Sequence, residues 1–362
     1  MVIRPQPALH WVREIEVGDE SFDDMFIIDG PVQLVFALLD AETRRLLSNP
    51  RFEKQMKISY GEIRAVVTDE KVAEVLRLLL DVCKRFAPPI EVRRRLAENA
   101  RQDPMPGVRL QNLLLLVREL PGDPATAEAL RAACSDSSPE IRLRAAKELG
   151  AEGRDVLLEL AQSLEVDTVS AEAVSILDRE LPFERMTAIL DGALSRRRHR
   201  TGLACLEAIG RSGATAAVGA LSKVMAARES GELAPAAAEA LGATGSPAAE
   251  PPLIQALQGD RGDLRVAAAN ALARVGSTAA VLPLKEAAER SLLDLELRRA
   301  ARQSIAEIQS RVQGASPGQL SLAGTEAGQL SLSETEAGQL SLTEDPAGQL
   351  SLPPEERSPW PK

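Results

Sequence analysis

Aromatic residues are scarce in this chain of 362 residues and make up only 2% of it, although hydrophobic residues make up 44%. The core must therefore be built mainly from alanine, leucine and valine. Small side chains let helices approach one another closely, which favours stacked helix pairs and argues against a large β-sandwich. The shortage of rings also argues against a site that holds a flipped nucleic-acid base, as a DNA glycosylase requires.

Histidine is nearly absent, since only His10 and His199 occur, and two isolated imidazoles cannot build a di-iron site of the histidine–glutamate type. No Gly-x-x-x-x-Gly-Lys phosphate loop is present. No cysteine–histidine pair suggests an activated nucleophile either. We therefore predict that the protein is not an enzyme and that it carries no metal and no cofactor.

Three cysteines occur, Cys83, Cys134 and Cys205, and they are far apart and odd in number. We interpret them as buried free thiols in a reducing compartment, not as disulfides or metal ligands. No apolar run reaches the length of a membrane span, and residues Met1–Pro7 lack the apolar segment of a signal peptide. A cytoplasmic bacterial protein without membrane contact is the resulting expectation.

Positive charge is in short supply, because the formal net charge at pH 7 is −10. The segment from Gly314 onward carries seven acidic and two basic residues, so it accounts for half of that net charge. The rest of the chain is mildly acidic, which is no electrostatic footprint for DNA or RNA. We expect no nucleic-acid partner.

The stretch from Asp263 to Gly276 contains the pattern that organises the chain. Asp263 is placed to cap a helix, and Gly276 is placed to end it in the left-handed conformation. A partner helix is predicted over Glu250–Leu257, with prolines in its first turn, where a missing N–H costs least. The residues at helical spacing that predict the buried side are Val266, Ala269, Leu272 and Ala273.

The same pattern recurs through the middle of the chain. Leucine is followed four residues later by glycine at Leu149, Leu206, Leu241 and Leu272, and the last three of these are 35 and 31 residues apart. A unit of this length holds two helices and cannot bury its apolar side alone, so it must stack on copies of itself. About seven helix pairs are predicted over residues 89–313.

Two segments carry a family resemblance, Pro139–Gly150 (PEIRLRAAKELG) and Asp263–Leu272 (DLRVAAANAL). They resemble HEAT repeats of the short bacterial, phycobilisome-lyase-like kind, and the likeness extends over about residues 90–312. It implies an α-solenoid that acts mostly as a binding scaffold, although HEAT-like enzymes exist. Residues 166–170 and 233–236 depart from the pattern, since they lack the usual arginine.

Arginines supply the candidate binding residues. Four lie at equivalent repeat positions near the starts of second helices, where they either contact a ligand or hold neighbouring repeats together. A dense basic cluster, Arg196–Arg200, is either a solvated turn or a patch for an acidic partner such as the chain's own tail. The candidates are Arg109, Arg142, Arg265 and Arg298 from the repeats, and Arg196, Arg197, Arg198 and Arg200 from the cluster.

Residues 1–88 differ in composition and hold seven of the nine aromatic residues. Strand patterns are predicted over Trp11–Val17, within Ser21–Gly30, and in a hairpin over Met56–Val67. Helices are predicted over Pro31–Ser48 and Lys71–Phe86. We expect a small α+β domain that ends at Pro88–Pro89.

The segment 314–362 repeats Gly-Gln-Leu-Ser-Leu four times with a strict period of ten residues. With so little apolar surface it cannot offset its ordering entropy, so we predict a disordered acidic tail. The motif resembles the Gln-Leu-Ser/Asp-Leu-Phe peptide of bacterial sliding-clamp ligands but lacks its final aromatic residue. Short-peptide presentation and neutral repeat expansion are the other readings. The motif residues of the first two copies are Gln319, Leu320, Leu322, Gln329, Leu330 and Leu332.

The fold predicted from the sequence is mainly α, with a solenoid of HEAT-like helix pairs between a small α+β domain and a disordered tail. The favoured function is a non-enzymatic scaffold that binds a protein of unknown identity on the concave solenoid face. The alternatives are a HEAT-like lyase or hydroxylase and a nucleic-acid-associated protein with clamp-like tail motifs.

Overall fold

The computed structural model describes residues 1–5, 15–52, 56–59, 62–66, 72–87, 89–213, 216–227, 230–290 and 294–311. It is mainly helical and has a small sheet near the N-terminus. Contacts divide the chain into two compact units, Met1–Thr244 and Gly245–Lys362. The predicted tail and its motif residues lie outside the described part of the chain.

A four-stranded antiparallel sheet opens the first unit, with the strand order β2-β1-β3-β4. Ile3 lies at its centre, paired with Ile28 on one side and Ile58 on the other. The predicted hairpin is confirmed where β3 pairs with β4, but the first strand was not predicted. The bounds are β1 Val2–Pro5, β2 Phe26–Asp29, β3 Lys57–Ser59 and β4 Glu62–Arg64.

The single helix predicted over Pro31–Ser48 is wrong, because the structure has two helices there. The chain breaks at Leu39, and the Asp40 carboxylate caps the second helix by accepting from the backbone N–H and the hydroxyl of Thr43. Of the predicted strand Trp11–Val17, only the last three residues are described, and these three do not form a strand. The helices of this region are α1 Glu20–Asp23, α2 Val32–Leu38, α3 Ala41–Leu47 and α4 Val72–Phe86.

Helix pairs make up the rest of the first unit. They are α5 Val92–Gln102 with α6 Pro106–Glu119, α7 Pro124–Ala133 with α8 Pro139–Leu149, α9 Arg154–Ser163 with α10 Asp167–Leu177, α11 Phe183–Ser195 with α12 His199–Arg211, and α13 Ala217–Ala226 with α14 Leu233–Ala243. Each second helix packs on the second helix of the next pair, in the order α6, α8, α10, α12 and α14. The second helices therefore form a continuous row.

The second unit repeats this arrangement in its described residues. Its helices are α15 Glu250–Leu257, α16 Gly262–Val275, α17 Val281–Arg290 and α18 Leu295–Arg311. The two second helices, α16 and α18, pack on each other. The partner helix predicted over Glu250–Leu257 is confirmed at both ends.

The helix ends around α16 differ from the prediction. Asp263 is not the cap, because the helix begins at Gly262 and Asp263 lies in its first turn, paired with Arg261. Gly276 is not left-handed, since its φ is −66°. A Cβ at Gly276 would lie 2.5 Å from the carbonyl oxygen of Leu272, so glycine is required there by close approach and not by a positive φ.

One hydrophobic core runs from the sheet into the first helix pairs, from Ile3 to Ala145. It contains Phe22, Phe36 and Phe52 from the aromatic-rich region, together with leucines and alanines of α5 to α8. The composition changes at the predicted boundary near residue 88, whereas this core continues past it. The N-terminal region and the first helix pairs therefore share one packed interior.

The cysteines are free, but the expectation that all three are buried is wrong. Cys83 is exposed, Cys134 is half-buried and Cys205 is buried. Burial raises the pKa of the Cys205 thiol to about 12, so this thiol stays protonated near neutral pH. Within the described ranges, no helix has both the length and the apolar character of a membrane span.

Candidate functional site

The row of second helices carries two adjacent recesses in the first unit. The larger has a volume of about 530 Å³, and the smaller has a volume of about 260 Å³. Leu114 of α6 and Arg144 of α8 line both recesses, so the two form one groove. The other lining residues are Glu16, Val32, Phe36, Gln111, Leu115, Val117 and Arg118 in the larger recess, and Leu110, Glu140, Leu143, Lys147, Thr168, Val169 and Glu172 in the smaller.

Helical spacing explains why apolar side chains line this groove. Residues 113–116 are four consecutive leucines, and a run of four covers more than one side of a helix. Leu113 and Leu116 are fully buried in the core, whereas Leu114 is half-buried and turns toward the groove. Leu110 lies one turn earlier on the same side. The groove floor therefore includes Leu114, which lies outside the hydrophobic core, and Leu110, which packs against that core.

Charged pairs surround this apolar floor. Arg144 pairs with Glu148 at 3.1 Å, Lys147 with Glu172 at 2.9 Å, and Arg118 with Glu119 at 2.7 Å. The side chains in these pairs are 28–65% exposed. Pairs this exposed contribute about 0–1 kcal/mol each, so a partner can replace them with its own charges at little cost. The groove thus combines an apolar centre with a charged rim.

The first candidate arginine, Arg109, is committed to the fold. Its side chain is 9% exposed and forms two hydrogen bonds of 2.7 Å to the carboxylate of Asp136, in the next helix pair. It also donates to the carbonyl oxygen of Asp103 at 2.8 Å. The carboxylate of Asp136 raises the pKa of Arg109. Burial alone would raise the pKa of Asp136, but hydrogen bonds from Arg109 and Ser138 hold it below its usual range.

The other repeat arginines make contacts of the same kind in two cases. Arg142 donates to the carbonyl oxygen of Asp136 at 2.9 Å, and in the second unit Arg265 donates to the carbonyl oxygen of Leu257 at 3.1 Å. Arg298 is half-buried on α18, and its side chain has no partner among the described residues. None of these four arginines lines the groove.

The basic cluster is a turn between α11 and α12 that docks on the preceding turn. Arg196 and Arg198 donate to the carbonyl oxygens of Ser163 and Glu165, at 3.0 and 3.1 Å. Arg197 has a φ of 55°, in the left-handed region, and its side chain is exposed. The backbone N–H of Arg200 donates to the carboxylate of Asp167 at 3.0 Å. Two of the four candidate guanidinium groups are thereby used to join repeats.

The described part of the chain contains no cluster of side chains that could hold a metal ion. There, no three histidine, cysteine, aspartate or glutamate side chains are arranged as metal ligands. His199 is exposed at the start of α12, and His10 lies outside the described residues. The tail residues Gln319 to Leu332 lie outside as well.

Sequence reasoning missed the groove because it followed the repeated arginine position. Leu110 follows Arg109 by one residue, Leu114 follows it by five, and Arg144 follows Arg142 by two, so these side chains lie on other sides of their helices. The run of four leucines at residues 113–116 was a usable signal, because a single buried stripe of a helix cannot hold all four. The contribution of Val32 and Phe36 from α2 depends on tertiary packing and has no local signal.

The comparisons with known proteins agree with the repeated helix pairs. Residues 218–306 match the family model of HEAT repeats, so the chain contains repeats of this kind. A search of curated proteins found no match. The solved structure of human deoxyhypusine hydroxylase in complex with glycerol is 17% identical with a TM-score of 0.27, and the match covers 60% of this chain and 96% of that one. A likeness this weak gives no indication of activity.

Proposed function

We propose that this HEAT-repeat protein is a non-enzymatic scaffold, and that it binds a partner protein in the groove between α6, α8 and α10. In this proposal the helix pairs of residues 92–311 form an α-solenoid, and the row of second helices is its concave side. The observation that supports it most is the groove itself, where Leu114 and Arg144 line two adjacent recesses that hold both apolar and charged side chains.

The composition of the groove suits a protein ligand. Interfaces of moderate affinity have an apolar centre of a few residues and a polar border that excludes water. Full burial of a leucine contributes about 1.5–3 kcal/mol, so covering the part of Leu110 and Leu114 that is still exposed can supply about 1–2 kcal/mol together. The exposed pairs of Arg118, Arg144 and Lys147 then select a partner by charge.

The proposal is tested by site-specific cross-linking. A photoreactive side chain at position 114 should capture the partner in cells, whereas the same group at Glu159, exposed on first helix α9, should not. Mass spectrometry identifies the captured protein, which is then purified. We expect Leu114→Asp and Arg144→Glu each to weaken its binding about 10- to 100-fold, because they place charge in the apolar centre or invert it at the rim.

The control is Glu159→Arg, which should leave affinity unchanged. Equal capture from positions 114 and 159, or unaltered affinity of both groove variants with an unchanged circular dichroism spectrum, would contradict the proposal. Turnover of a substrate by the purified chain would contradict its non-enzymatic part.

A further inference from the structure

Helix α18 in the second unit presents an unusual stripe of arginines. Arg298, Arg299 and Arg302 lie within five residues, and none of their side chains has a hydrogen-bond or ion-pair partner among the described residues. Three other arginines of this unit are engaged: Arg261 pairs with Asp263, Arg290 pairs with Glu286, and Arg311 donates to the carbonyl oxygen of Gly276. The stripe is therefore a local excess of uncompensated positive charge.

An exposed leucine extends the stripe toward the start of the helix. Leu295 is 72% exposed, the highest value among the large hydrophobic residues described. At about 100° and 1.5 Å per residue, Leu295, Arg298 and Arg302 fall within about 60° of one another on α18. The helix thus shows one apolar position followed by two cationic positions along a single face.

The tail has a complementary pattern. In an extended chain alternate residues share a face, and the second tail copy places Leu330, Leu332, Glu334 and Glu336 on the same face. Glu334 and Glu336 would be about 6.6 Å apart in that conformation, and Arg298 and Arg302 are separated by about 6 Å of helical rise. The spacing of Leu332 and Glu334 along the extended tail matches the spacing of Leu295 and Arg298 along the helix axis to within roughly 2–3 Å.

We propose that the tail segment Leu330–Glu336 binds along α18 of its own chain, with its leucines at Leu295 and its two glutamates on Arg298 and Arg302. The proposal concerns the second unit alone and does not depend on the groove described above. The tail starts three residues after Arg311, and the 22 residues between Arg311 and Glu334 can extend over about 70 Å, so the segment reaches the whole helix.

Covalent connection favours the chain's own tail over other acidic ligands. A tethered segment is present at an effective concentration in the millimolar range, so even two exposed ion pairs and one apolar contact produce measurable occupancy. The ten-residue period supplies further copies with two leucines and a glutamate at the same alternating positions, such as Leu340, Leu342 and Glu344. A nucleic acid would use the arginines but would leave Leu295 exposed.

Native-state proteolysis of the full chain tests this proposal. A protease that cleaves before leucine should cut at Leu330 and Leu332 slowly in about 50 mM salt, because the bound segment is protected. We expect the triple variant Arg298→Gln, Arg299→Gln, Arg302→Gln to be cut about 3- to 10-fold faster at these sites. In 1 M salt the two proteins should be cut at the same rate, since salt screens exposed pairs.

Two further variants keep the test specific. Glu334→Gln with Glu336→Gln should accelerate cleavage to a similar degree, because it removes the charge from the other side of the contact. Arg274→Gln, Lys285→Gln and Arg290→Gln remove the same number of charges elsewhere in the unit and should leave the rate unchanged.

Three results would overturn the proposal. These are equal cleavage of the wild type and the α18 variant at low salt, protection that increases with protein concentration, and loss of protection in the control variant. Circular dichroism and a thermal melt of each variant show whether the helices are intact. A DNA or RNA oligonucleotide that binds the wild type through these arginines, with the tail unprotected, would also overturn it.

Discussion

The N-terminal third of the chain and the later helix pairs are held together by different chemistry. Buried charged and amide side chains occur only before residue 113 in the described residues, where they include Arg44, Asn99, Asp103 and Arg109. From α9 onward, the buried polar residues are small hydroxyls: Ser170, Thr201, Ser230 and Ser304. The first region therefore depends on directional ion pairs, whereas the second depends on the close approach of small residues.

This difference follows from what each region must join. In the first region, a sheet and short helices meet the first helix pairs at angles that no repeat dictates. There the buried guanidinium of Arg44 binds Asp103 through two hydrogen bonds of 2.9 Å and Asp19 through another of 2.9 Å. In the second region each pair meets a copy of itself, so alanine seams fix the geometry, and a hydroxyl such as Ser304 needs only the carbonyl oxygen of Ala269, at 2.8 Å.

The largest expected effect concerns the buried ion pairs of the N-terminal region. Arg44→Met removes both guanidinium hydrogen bonds from the carboxylate of Asp103, whose side chain is 1% exposed, and leaves it only the backbone N–H of Met105. We expect a loss of about 3–5 kcal/mol in the free energy of unfolding, measured by chemical denaturation. Arg45→Met is the control, because Arg45 and Glu42 form an exposed pair and should contribute less than about 0.5 kcal/mol. A loss below about 1 kcal/mol for Arg44→Met would remove the contrast between the two regions.

The next effect tests the close packing of the repeats. A Cβ at Gly153 would lie 2.2 Å from the carbonyl oxygen of Ala146, so we expect Gly153→Ala to destabilise the first unit by about 1–3 kcal/mol. Gly219, within α13, has nothing within 4 Å of the corresponding position. Gly219→Ala should therefore be neutral or stabilising by up to about 1 kcal/mol, because it removes a helical glycine. If the two substitutions have equal effects in a thermal melt, packing is not what spaces these helices.

A third prediction concerns Asp167, a carboxylate that joins α10 to α12. Asp167 accepts from the N–H groups of Arg200 and Thr201 and from the Thr201 hydroxyl, at 2.8–3.0 Å. Burial alone would raise the pKa of Asp167, but these hydrogen bonds hold it below its usual value of 3.8. The stabilisation is therefore present above pH 3.8 and is lost as the pH falls through the lower native pKa.

We expect Asp167→Asn to lower the free energy of unfolding by about 1–2 kcal/mol at neutral pH. Below the native pKa of Asp167 the substitution should no longer lower it. Hydrogen exchange in α10 and α12, measured as a function of pH, checks both parts. Asp155→Asn, on the exposed side of α9, is the matched control. A constant cost over the acidic range would show that the charge of Asp167 is unimportant.

The smallest effect belongs to a buried hydroxyl. Ser304 is 1% exposed and donates toward the carbonyl oxygens of Ala269 and Ala300. Since both oxygens lie within helices, Ser304→Ala should lower the free energy of unfolding of the second unit by only about 0.5–1.5 kcal/mol. Ser310→Ala, exposed on the same helix, should be silent in the same denaturation experiment. A cost comparable with that of Arg44→Met would mean that the hydroxyls are as important as the ion pairs.

The repeated part of the fold was predictable because its signals are local. The prolines of Glu250–Leu257 and the leucine–glycine spacing follow from helix chemistry alone, and those helices appear where they were expected. The break at Leu39 and Asp40 was missed because the apolar residues of Val32–Leu47 fit a single helix, and only the Asp40 cap distinguishes two. The strand Val2–Pro5 was missed because it is short and has two prolines within or near it.

The candidate site was less predictable, for a physical reason. Arg109 and Arg142 were predicted either to contact a ligand or to hold neighbouring repeats together, and their guanidinium groups bind carboxylate and carbonyl oxygens of the chain itself. Sequence spacing locates an equivalent position in each repeat but does not show which oxygens face it. The groove around Leu114 depends on side chains from α2, α6, α8 and α10, and only packing brings these together.

Hydrogen–deuterium exchange with the cross-linked partner, once purified, tests the central claim most directly. The amides of α6, α8 and α10 should exchange more slowly when the partner is bound, because it covers the groove that these second helices form. The first helices α7, α9 and α11 should be unchanged. Slower exchange confined to the first helices, or no change anywhere in the first unit, would contradict the assignment of the groove as the binding surface.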